Sequence, residues 1–170
     1  MATTKNLSGG KFPENFLSPF KRVQMEERID DAFACIATLS GRTLDEVNKL
    51  AVQLGYPAHG PAWADIVLIN KILHNLGLTG GEYQDLTSTD ALPDVAILMV
   101  DYSEALDAGR HVIWHHIRGT ASQQAFSYVI DVAGWVPAKS QITTDFSHLK
   151  LEPAWYIEIK PRTNGSGKSK

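Results

Sequence analysis

The apolar residues of this sequence change their period once, near Gly80-Gly81, and that change limits the chain to helices followed by strands. Upstream the spacing is helical. Ala32 to Leu39 is apolar enough for a buried helix closed by Ser40-Gly41. Thr43 followed by Glu46 is a capping-box pattern, and Leu44, Val47, Leu50, Ala51 and Leu54 recur on one face until Gly55. Trp63, Ile66, Val67, Ile69, Ile72, Leu73 and Leu76 predict a third helix ended by Gly77.

Downstream the signals are those of strands. Val95 to Val100 is a short continuous apolar run, and His111 to Arg118 with Ala125 to Val132 read as a hairpin around a polar Gly119 to Gln124 turn. Ala154 to Lys160 alternates, with Trp155, Ile157 and Ile159 on one face. Helices first and antiparallel strands afterwards, without βαβ alternation, predict an α+β domain. Residues 22–162 form one domain in this reading, preceded by an arm at 1–21 whose Phe12, Phe16, Leu17 and Phe20 can dock on the core. The segment from Thr163 to Lys170 has no apolar residue and is expected to be a disordered tail.

Composition narrows the function classes. With 170 residues, 44% hydrophobic and 21% charged, the chain can bury a core on its own. A formal charge of -3 supplies no phosphate-neutralising field, so nucleic acid is not an expected partner. No apolar run reaches the ~18 residues of a membrane span, so no membrane partner is expected, and the single cysteine, Cys35, cannot close an intramolecular disulfide. These features predict a cytoplasmic protein made in a reducing compartment.

Cys35 is also the candidate nucleophile. A lone cysteine in an apolar helix is usually a small buried hydrophobe. Here the acidic segment Glu26 to Asp31 precedes the helix, Asp30 or Asp31 can cap it, and the helix dipole would then favour the thiolate. For a base, a hairpin turn centred at Ala121 sets His111 opposite Asp131, where the two side chains can touch. The same turn sets His115 opposite Ser127 and His116 opposite Phe126, neither an acid, which makes His111 the first choice and His115 the second. The cluster His111, His115, His116 also invites a metal. In a strand, however, His111 and His115 stand about 13 Å apart, and His115 and His116 point to opposite faces, so no metal and no other cofactor is expected. Trp114, Trp135 and Trp155 read as core or rim aromatics, with Trp135 placed to wall a cleft.

The run DAFACIATLSGRTLDEVNKLAVQLGY resembles the cysteine-bearing helix and following helix of the bacteriocin-processing, C39-like branch of papain-like cysteine peptidases. GRHVIW followed by YVIDVAGW resembles that group's later pair of strands, and the likeness spans roughly residues 22–135. The resemblance implies a papain-like fold in which Cys35 is the nucleophile, His111 the general base and acid, and Asp131 the group orienting His111. Cys35 would attack an amide or ester carbonyl, with its own backbone N–H as one oxyanion contact, and His111 would protonate the leaving amine and later activate water. The family usually places a glutamine shortly before the cysteine. Ile29, Asp30 and Asp31 fill that stretch here, and Gln24, farther upstream, is the nearest oxyanion candidate. The implied partner is a peptide or protein substrate. Two alternatives stand beside a cysteine peptidase or amidase: a catalytically inactive peptidase-like domain that binds a peptide or protein, and an amidase effector acting on bacterial cell walls.

Overall fold

A computed structural model describes residues 6–59 and 62–163. The tail expected from Thr163 onward lies, apart from Thr163 itself, outside the described residues. Three helices come first: α1 (Asp31–Ser40), α2 (Leu44–Gln53) and α3 (Ile66–Asn75). Thr43 caps α2 through the expected box, its side chain accepting from Glu46 N while the Glu46 carboxylate accepts from Thr43 N. The helix α3 starts at Ile66, capped by Asp65, so Trp63 lies outside it. The helix α1 carries almost no polar face, and every residue from Asp31 through Thr38 is buried. Its expected cap is not made: Asp30 makes no side-chain bond to the helix end, and its Oδ2 accepts from Glu26 N and Glu27 N instead.

The rest of the chain builds a seven-stranded antiparallel sheet from β1 (Leu78–Gly80), β2 (Gln84–Asp85), β3 (Val95–Ser103), β4 (Ala108–Ile117), β5 (Phe126–Ile130), β6 (Ile142–Thr143) and β7 (Trp155–Pro161). The order is β1-β7-β3-β4-β5-β6, with β2 also on β7. A four-residue helix, α4 (Ala138–Gln141), leads into β6. The sheet separates two apolar cores. Ile97, Ile113, Tyr128, Ile130 and Ile157 face the helices. Leu98, Val112, Trp114 and Val129 face the other way, onto Phe146, Leu149 and Leu151. Residues 6–20 run along this framework, with Phe12, Phe16 and Phe20 against the helix-side core and Ser8 bridged to Asp145.

The helices-then-sheet architecture is thus the α+β arrangement expected, but the hairpin register differs by one residue. Ile113 pairs with Ile130 and His115 with Tyr128, which sets His111 in line with Val132 rather than Asp131. A one-residue slip changes the face on which a side chain emerges. His111 points with Ile113 toward α1, whereas Asp131 continues the alternation of Val129 toward Arg110.

Candidate functional site

The helix α1 packs against β4, and this contact brings Asp31, its first residue, against His111. Asp31 Oδ2 accepts two hydrogen bonds from His111, one from the backbone N–H at 2.5 Å and one from Nδ1 at 2.9 Å. Nδ1 thus shares a hydrogen bond with the carboxylate, and on the other side of the ring Nε2 shares one with the Tyr83 hydroxyl at 2.8 Å. Asp31 and His111 sit away from water, 3% and 7% exposed, and Tyr83 is half-buried beside them. Burial pushes the Asp31 carboxyl up, but the electrostatic pull and hydrogen bonds of His111 outweigh it and hold the group below the ordinary carboxylate range. Tyr83 is pushed the other way, well above the usual phenol range, by burial first and by nearby Asp31 and Cys35 second. Tyr83 is therefore a hydrogen-bonding hydroxyl, not a phenolate.

Cys35 stands one helical turn beyond Asp31 on the same face, about 6 Å farther into the molecule. It is completely enclosed in the helix-side core. Burial, then Asp31 and Asp131, push its thiol well above the ordinary value, and Arg110 offsets only part of that. The expectation that the dipole of α1 favours a Cys35 thiolate is corrected here, because the helix begins at Asp31 and the dipole's influence fades within its first turn. Both ring nitrogens of His111 are engaged elsewhere, so neither is held for Cys35.

Asp131 is joined not to His111 but to Arg110 and His148. Arg110 grips it with both terminal nitrogens, at 2.6 and 2.8 Å, while His148 Nε2 lies at 3.1 Å from Oδ2 and Ala133 N donates to Oδ1. Arg110 also reaches Asp101 Oδ2 at 2.5 Å. Asp101 sits at φ 52, where β3 breaks register with β4 between Val100 and Ser103, and its other oxygen accepts from Lys150 N. The expected Cys35, His111 and Asp131 thus lie near one end of α1 and β4 but form no hydrogen-bonded chain.

The second-choice base, His115, hydrogen-bonds through Nδ1 with the Tyr128 hydroxyl, packs edge-on against Phe20, and has its pKa lowered by burial. Gln24 is exposed, lies against Gly134, and accepts from Arg22 at 3.3 Å. Asp31 and Tyr83 were not anticipated as partners of His111. Asp31 was visible as an acid at a helix start, but only packing of α1 on β4 reveals what it meets. Among the described residues, no group of three or more His, Cys, Asp or Glu is placed to hold a metal ion. No described helix is long and apolar enough to cross a membrane.

Beside Asp31 the surface opens into a cleft of about 280 Å³ walled by Met25, Arg28, Trp63, Leu106, Arg110 and Trp135. Trp63, Leu106 and Trp135 are half or more exposed. Two further depressions share walls with this cleft. Trp63 is shared with a depression along α3 that also contains Tyr56 and Pro57, and Arg110 and Trp135 are shared with one toward α4 and His148. Exposed tryptophans thus flank the cleft beside Asp31, with a neighbouring depression on each side.

No family model matches the sequence, and no curated protein matches it. Among solved structures, the chain is similar to a double glycine motif protease from an AMS/PCAT transporter, determined in complex with a leader peptide. The similarity covers 87% of this chain and 96% of that one, with a TM-score of 0.51 and 14% sequence identity. The chain has the papain-like fold of that C39-type peptidase.

Proposed function

We propose that this domain is a catalytically silent peptidase-like fold that binds an extended peptide in the groove between Trp63 and Trp135 without cleaving it. The observation that carries this reading is the exchange of partners at the helix mouth. The first-turn side chain facing the imidazole is a carboxylate, Asp31, and the only thiol is sealed one turn deeper. A buried carboxylate bound to two N–H groups is a poor nucleophile, and His111, with both nitrogens engaged, has no free position from which to take a proton. Peptide binding is supported by the groove, where exposed tryptophans offer rigid apolar contact area at low entropic cost. The related protease's own complex with a leader peptide is in keeping with such an occupant.

The Cys35–His111–Asp131 peptidase remains the rival reading, with the cell-wall amidase as its variant. One experiment separates them. Peptide libraries and peptidoglycan fragments are incubated with the native protein and with Cys35→Ala, while binding is followed by tryptophan fluorescence. Saturable quenching by peptides, equal in both proteins and without cleavage, is the expected result. Cleavage by the native protein that Cys35→Ala lacks would overturn the proposal.

A further inference from the structure

Tyr56 and Pro57, which wall the depression beside Trp63, also wall a pocket of about 470 Å³ whose acidic side chains are Glu26, Glu27 and Asp30. Asp30 is 7% exposed, and its Oδ1 is buried with no hydrogen-bond partner, while Oδ2 is occupied by two backbone N–H groups. Such an atom calls for a proton or an external donor. Among the described residues, neither Glu26 nor Glu27 is in an ion pair, and His59 is the only basic side chain lining the pocket. Tyr56 and Phe33 form an apolar wall, with their rings edge to face at 5.0 Å.

We propose that this pocket receives the basic side chain, lysine or arginine, of the peptide lying in the groove. The inference rests on the peptide-binding reading and adds the chemical class of one residue to it. The aliphatic stem of such a side chain would lie along Tyr56 and Phe33. Its N–H groups would reach Asp30 Oδ1, with Glu26 and Glu27 adding charge at the rim. The same conclusion is favoured by Asp30's own titration, which burial pushes above the ordinary carboxylate range and the N–H groups of Glu27 and Glu26 only partly bring back. A bound cation would reverse that penalty.

The test is an amide-resolved NMR titration of the native protein with Nα-acetyl-arginine methylamide, Nα-acetyl-lysine methylamide and Nα-acetyl-norleucine methylamide, all at one pH. Saturable shifts at Glu26 to Asp30, Asn48 and Tyr56 with one or both basic probes, absent with norleucine, are expected. The double variant Glu26→Gln, Glu27→Gln changes only exposed positions and should weaken this binding several-fold, while Asp30→Asn should abolish it. Equal shifts with norleucine, or no saturable shift with either basic probe, would sink the inference. If a peptide still quenches the tryptophans in that event, the peptide-binding reading survives without it. Binding of a basic probe with no peptide response would show the reverse.

Discussion

A single carboxylate oxygen, Asp31 Oδ2, holds His111 at both its backbone N–H and its ring Nδ1. The pair joins the first turn of α1 to β4, and it is almost fully buried. Removing one partner leaves the other without its compensating charge or hydrogen bonds. Asp31→Ala is expected to cost about 3 kcal/mol in urea unfolding.

The same pair sets an acid limit to stability. Asp31 titrates lower in the folded protein than in the unfolded chain, so the stability it contributes is fully present above the ordinary carboxylate value of about 3.9 and is lost as pH falls through the lower folded value. Asp31→Asn keeps the shape but cannot titrate. Its stability should fall less steeply than that of the native protein across this window, as read by denaturation at a series of acidic pH values.

Asp31→Cys, made together with Cys35→Ala, would place a thiol at the first turn of α1 facing His111. That location has what Cys35 lacks, namely the helix terminus and an imidazole at contact distance. Its alkylation by iodoacetamide should follow a pKa below the free-thiol value of about 8.5, and His111→Ala should move it back up.

The native Cys35 should behave in the opposite way. Enclosed on every side, with its thiol pushed up by burial, it should resist iodoacetamide until the protein opens, and its labelling rate should track denaturant rather than His111. Labelling of the folded protein with a rate that drops in His111→Ala would refute the assignment of Cys35 to the core.

Arg110→Met should be among the most damaging single changes outside the helix-side core. It leaves Asp131, which has no solvent exposure, without its two-pronged partner, at a cost of about 3–5 kcal/mol. Adding Asp131→Leu should recover part of that loss, so that the double variant is less destabilised than the sum of the single ones in equilibrium unfolding.

Much of the fold was legible because its signals are local. The Thr43–Glu46 box and the glycines after α1, α2 and α3 act within one turn of chain, and the alternation along Ala154 to Lys160 is a property of a strand alone. The short strands β1, β2 and β6 were not foreseen. They are two or three residues long and exist because β7 or β5 offers them a free edge. The site was legible only in part. His111 was read as a base facing Asp131 along the hairpin, whereas the acid that meets it, Asp31, comes from α1 across the layers.

The residues themselves determined helices followed by a sheet, a buried α1 and an imidazole at the mouth of β4, because each follows from period, polarity or capping over a few neighbouring positions. Tertiary structure decided which acid that imidazole meets and whether the lone thiol sees it. Two displacements settle those questions: one residue in the register of β4 on β5, which turns Asp131 to the far face, and one turn along α1, which substitutes Asp31 for Cys35. Neither displacement leaves a mark on local sequence, since both are fixed by how whole elements pack.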